Sequence, residues 1–96
     1  MTFESFVESL ESGSAPPEGI SPELESLWYT KADEWDKAHD IAQDIPTKTG
    51  SWIHGLLHAI EGDFGNSAYW YNRASEKPIS ASEIDAEWER IVRALI

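Results

Sequence analysis

Apolar residues recur at helical spacing in nearly every segment between the chain's glycines and prolines. Phe3, Phe6, Val7 and Leu10 stand at i, i+3, i+4 and i+7, one face of a helix that Thr2 precedes and Gly13 closes. Ser12 to Gly19 contains two prolines and two glycines and reads as a linker, so the first helix is an arm that docks on the body or stays mobile. Ser21-Pro22 is a helix start: Ser caps, and Pro sits where its missing N–H has no partner to lose. Leu24, Leu27 and Trp28 form the apolar face of that second helix.

The chain turns near Ala32-Asp33, and Trp35, Ala38, Ile41, Ala42 and Ile45 then mark a third helix, stopped by Pro46. Thr47 to Gly50 reads as a short loop. A fourth helix is expected from about Ser51 to Glu61, and a fifth, after a Gly62-Asp63 corner, from about Asp63 to Ser75. Ser80-Ala81-Ser82-Glu83 has the capping-box pattern and opens a last helix striped by Ile84, Trp88, Ile91, Val92 and Leu95. No segment shows the two-residue alternation of a strand. The expectation is an all-α protein of five or six short helices stacked as antiparallel hairpins. It is a single domain: arm 1–12, linker 13–20, body 21–96.

Composition narrows the function classes. A chain of 96 residues buries one modest core, roughly 60–65% of its unfolded surface. It has no cysteine, which removes disulfides, thiolate metal sites and cysteine nucleophiles. Eighteen acidic residues against seven basic ones give a formal charge of −11, which repels phosphate backbones and anionic membranes. Residues 1–26 hold six Glu and neither Lys nor Arg; the plain consequence is solubility, the alternative an acidic surface for a basic partner. The start of the chain lacks the basic and apolar regions of a signal peptide, and no run approaches the ~20 apolar residues of a membrane span. A cytoplasmic protein is therefore expected. No Gly-x-Ser-x-Gly, Walker or Rossmann pattern is present, and no catalytic residue is recognisable.

The third and fifth helices open alike, Asp33-Glu34-Trp35-x-x-Ala38-x-x-x-Ala42 against Gly62-Asp63-Phe64-x-x-Ser67-x-x-x-Tyr71-x-x-Ala74, about 29 residues apart. The second copy resembles the second helix of a tetratricopeptide repeat, and Gly55 falls where that family has its first-helix glycine. Ala68-Tyr69-Trp70-Tyr71-Asn72-Arg73-Ala74 is similar to a Sel1-like repeat segment. The chain also resembles a group of small bacterial proteins sharing Trp-x-His-x-x-x-His-x-x-Glu-Gly-Asp, a resemblance that implies no activity. The repeat resemblance covers residues 22–77 and implies stacked helical hairpins acting in protein–protein contact.

Two sets of side chains could carry a function. His54, His58 and Glu61 fall within about 60° of one another on a helical wheel. Two imidazoles one turn apart can chelate Zn²⁺ or Ni²⁺ with a carboxylate as third ligand, and His39, Asp40 or Asp63 could complete the set. The competing reading places both histidines on the polar face of an amphipathic helix, Glu61 merely pairing with one of them. The wheel turns them to solvent, whereas the repeat register turns them toward the fifth helix. Both hold if the fourth helix is contacted on two sides, with the histidines near Tyr71 or Trp35. The second set is Asn66, Tyr69, Trp70 and Arg73 on the outer face of the fifth helix, residue types enriched at binding hot spots. The leading expectation is an acidic interaction or adaptor module with a protein partner or as a homodimer, binding neither nucleic acid nor membrane and holding no cofactor. The alternative is a metal- or small-ligand-binding protein.

Overall fold

Local capping decides where the helices begin. Thr2 and Ser5 bond reciprocally, side chain to backbone N–H, at 3.0 and 3.1 Å. Ser21 Oγ accepts from Leu24 N–H at 3.2 Å, and Glu83 reaches back to the Ser80 N–H at 2.8 Å. The computed structural model describes residues 1–96 and is all-helical: α1 (Phe3–Ser12), α2 (Pro22–Lys31), α3 (Trp35–Gln43), α4 (Lys48–Ile60), α5 (Phe64–Arg73) and α6 (Ile84–Leu95), with a 3₁₀ turn at Ala81–Glu83. No helix is long and apolar enough to cross a membrane. The radius of gyration, 12.3 Å, is what a single compact domain of this length has, ~12.5 Å.

One expected loop is absent. Thr47 is not a loop residue but the N-cap of α4, its hydroxyl accepting from Gly50 N–H at 3.2 Å, and Lys48 to Gly50 form the first turn. Gly50 is there for closeness: a Cβ on it would meet the Ile45 carbonyl oxygen at 2.3 Å. α3 correspondingly ends at Gln43, with Asp44 as its C-cap, before Pro46 is reached.

The internal repeat is visible in the hydrogen bonds. α2 and α3 form one hairpin, α4 and α5 a second. Each first helix ends in the same left-handed corner, Asp33 at φ 64° and Gly62 at φ 84°. The N–H two residues past each last cap carbonyl returns to the helix, Glu34 to Tyr29 and Asp63 to His58, both at 2.9 Å. Ser75 at φ 60° and Glu76 N–H to Tyr71 repeat the motif after α5. Inside each hairpin one buried serine crosses to the partner helix: Ser26 donates to the Ala38 carbonyl at 2.7 Å and Ser67 to the Gly55 carbonyl at 2.8 Å. Ser26 and Gly55 are equivalent positions in the two copies, as are Ala38 and Ser67, so the same bridge is made with donor and acceptor helix exchanged.

Four of the five tryptophans tie different elements together through their indole N–H. Trp28 donates to Ser9 on α1, Trp35 to the Leu57 carbonyl, Trp52 to Glu87 on α6, and Trp88 to the Leu27 carbonyl. The core they surround holds Phe6, Leu27, Trp28, Ile53, Leu56, Leu57, Ile91 and Val92. The arm docks on the chain's own body: Phe6 is fully buried, and Phe3 and Phe6 lie 6.0 and 6.1 Å from the Trp88 ring.

Two glycines in the second hairpin should respond oppositely to the same change. A Cβ on Gly55 would sit 2.6 Å from the Tyr71 ring, whereas one on Gly65 meets nothing. Gly55→Ala is expected to destabilise by about 1–3 kcal/mol through overpacking. Gly65→Ala should stabilise by roughly 0.5–1 kcal/mol through helix propensity. Denaturant unfolding measures both; equal effects would contradict the close α4–α5 crossing.

Candidate metal-binding site

α4 lies between α3 and α5, so its histidines are covered from two sides. His39 stands one turn beyond Trp35 on α3, and the two rings stack at 4.8 Å and 11°. The Trp35 indole N–H bonds the Leu57 carbonyl at 2.7 Å, fixing this part of α3 against α4. On α4, His54 and His58 are stacked one turn apart, 4.9 Å between centroids. His54 also lies flat on Trp70 of α5 at 3.9 Å and 13°. His39 meets both of the α4 imidazoles edge-on, at 4.6 and 5.5 Å.

One ring nitrogen from each of His39, His54 and His58 lies within 4.8 Å of the other two. The Nε2 atoms of His39 and His54 are 2.9 Å apart, so in the metal-free protein one donates a proton to the other. His58 Nδ1 is 2.6 Å from Glu61 Oε1. A carboxylate only accepts, so Nδ1 carries a proton; in the neutral ring Nε2 is then the nitrogen with the lone pair, and the Asn66 Nδ2 amide stands 3.4 Å from it.

His54 and His58 are 7% and 8% exposed, which decides against a solvated polar face. Burial first, then the neighbouring His39 and His58, hold the His54 pKa down to about 4 from 6.5. His54 is consequently neutral at neutral pH. Whichever of His39 and His54 carries the shared Nε2 proton must pass it to its Nδ1 or to solvent before both Nε2 lone pairs can meet a cation. All buried side-chain nitrogens and oxygens have hydrogen-bond partners, so the fold is complete without an ion.

Of the residues singled out in the sequence, His39, His54 and His58 come together and Glu61 stands behind them, on the far nitrogen of His58. Its carboxylate fixes the orientation of the His58 ring, as carboxylates do for imidazoles that bind metals. Asp63 Oδ1 accepts the Asn66 backbone N–H at 3.2 Å, capping α5. His58, Glu61 and Asp63 also form a second set with ligand atoms within 4.8 Å, its two carboxylates exposed. Asp40 is exposed and belongs to neither set.

The outer-face group divides. Tyr69 is 53% exposed and receives a bond from Arg73 at 3.3 Å, the guanidinium also standing 5.4 Å over the Trp70 ring. Trp70 and Asn66 instead turn to the histidines. Their i, i+4 spacing could have signalled a shared face, as the spacing of Trp35 and His39 could on α3. Tyr71 does not join the histidines: its hydroxyl donates to Glu87 at 2.9 Å. The sequence had offered no sign of that carboxylate's role. Glu87 is 5% exposed; burial raises its pKa, but bonds from Arg90, Trp52 and Tyr71 outweigh this and hold it below the usual value.

Comparison with protein families, curated proteins and solved structures returns no match to the chain.

The depressed His54 pKa fixes a pH dependence. Between 6.5 and about 4 the unfolded chain takes a proton that the folded one refuses, so stability is fully present above 6.5 and declines as pH falls. Chemical unfolding in chelator at pH 6.5, 6 and 5.5, above the carboxylate range, should show this decline, and His54→Gln should flatten it. A flat wild-type profile would contradict a neutral buried His54.

Proposed function

We propose that this chain binds a divalent transition-metal ion through His39, His54 and His58. The observation that carries the reading is the convergence of three imidazole nitrogens from two helices within 4.8 Å. Imidazole suits Zn²⁺, Ni²⁺, Co²⁺ and Cu²⁺ and discriminates against Mg²⁺ and Ca²⁺, which take oxygen ligands. Tetrahedral zinc with ~2.05 Å Zn–N bonds spaces its ligands by ~3.3 Å. The His39 and His54 nitrogens, 2.9 Å apart, need open by only a few tenths of an ångström. Trp35 and Trp70 limit how far those rings swing, and Glu61 fixes the tautomer that leaves His58 Nε2 free. Three neutral donors leave an ion its full positive charge, which the chain's net −11 balances at longer range.

Thermal unfolding with each metal chloride tests this. At a hundredfold excess over Kd, Zn²⁺ should stabilise the protein by about 2.7 kcal/mol, roughly 10–20 °C in a domain of this size. Mg²⁺ should have no effect, and His39→Ala and His54→Ala should abolish the zinc shift. Glu61→Gln should bind zinc about 10–100-fold more weakly with the fold intact. No shift with any of the four transition metals removes the proposal.

A second reading is supported by the shared register of the two hairpins. The α2–α3 and α4–α5 pairs resemble tetratricopeptide-like units, and such scaffolds present surfaces to other proteins. On this reading the exposed Tyr69 and Arg73 form the contact. Tyr69→Ala with Arg73→Ala should then release a captured protein partner or shift the self-association equilibrium while leaving zinc binding unchanged.

A further inference from the structure

We propose that Asn66 supplies the fourth ligand through its side-chain carbonyl oxygen, closing the site around zinc and pinning α5 to α3 and α4. This rests on the triad binding metal. Among the oxygen-bearing side chains around His58, two already have duties: Glu61 holds His58 Nδ1, and Asp63 caps α5. Asn66 alone faces Nε2, the nitrogen left for an ion, with its amide 3.4 Å away. That separation is long for a hydrogen bond, whose usual range is ~2.7–3.2 Å. It matches the ~3.3 Å between neighbouring ligands on tetrahedral zinc.

The direction of the amide agrees. Asn66 and Trp70 are one turn apart on α5, and Trp70 lies on His54 at 3.9 Å, so this face of α5 is turned to the imidazoles. Without an ion, the amide nitrogen faces inward because His58 Nε2 is an acceptor. The two ends of the amide have nearly the same shape, and a half-turn of the group brings Oδ1 to where Nδ2 stands. A cation inverts the preference, attracting the oxygen and repelling the N–H donors. Asn66 is an exposed residue, so the turn has space.

The consequence is a closed site. His39 comes from α3, His54 and His58 from α4 and Asn66 from α5, leaving no position for water or substrate. Four-coordinate closed zinc is the structural kind, whereas an open fourth position is the catalytic kind. The ion would then act as a reversible brace across three helices of an already folded protein.

Co²⁺ in place of Zn²⁺ reports this directly, because its visible absorption depends on coordination number and responds to added anions at an open position. The wild-type Co²⁺ complex should give the intense bands of a tetrahedral site, unchanged by azide. Asn66→Ala should keep the metal-free unfolding midpoint, bind Co²⁺ at least tenfold more weakly, and shift its bands on addition of azide. Asn66→Asp, which retains an oxygen donor, should restore affinity and azide resistance. An azide-sensitive wild-type complex, or equal Co²⁺ affinity in wild type and Asn66→Ala, overturns the fourth-ligand assignment while leaving the triad standing. Absence of Co²⁺ binding in the wild type overturns both.

Discussion

The close crossing of α4 and α5 at Gly55 is the constraint on which the site depends. With no Cβ at Gly55, the Tyr71 ring and the Ser67 backbone come down onto α4, and the Ser67 hydroxyl bonds the Gly55 carbonyl at 2.8 Å. That approach carries Trp70, beside Tyr71 in the chain, onto the face of His54. It also delivers the Tyr71 hydroxyl to Glu87, where Trp52 of α4 donates to the same carboxylate oxygen. One backbone approach thus locks three helices and covers one side of the imidazoles; α3, held by the Trp35–Leu57 bond, covers the other.

Much of this was legible in the sequence because the signals are local. Gly13, Ser21-Pro22 and the Ser80–Glu83 box act through the nearest few residues, and the helices begin or end at those points. The repeated Asp33 and Gly62 corners followed for the same reason. Lys48 to Gly50 misled because glycine and threonine favour loops by propensity, while a tertiary contact with Ile45 sets the actual conformation. The histidines were ambiguous for a different reason: a wheel divides a helix into two faces but does not say how many neighbours it has. With α3 and α5 on either side, the polar stripe became an interior seam. Glu87, an acidic residue next to Trp88 on the stripe of α6, gave no advance sign that three donors from α4, α5 and α6 itself would meet it.

The chemistry of the seam follows from burial. Burial and two neighbouring imidazoles disfavour protonation of His54, as its pKa of about 4 expresses. His54 therefore resists protons while retaining a lone pair, the condition under which a soft or borderline cation competes best. Because every buried polar side-chain atom already has a partner, the fold is complete without an ion. A chain of this kind should stay folded in chelator, unlike small zinc domains that unfold when their metal is removed. The exposed pair Glu61 and Asp63 at the rim adds negative charge where a cation would approach.

Anomalous diffraction at the zinc absorption edge, on crystals of the zinc-loaded protein, tests the imidazole seam most directly. The seam requires one dominant peak within bonding distance of a nitrogen from each of His39, His54 and His58, with Glu61 still on the far side of the His58 ring. A peak among the exposed carboxylates alone, or none beside the three rings, would contradict it.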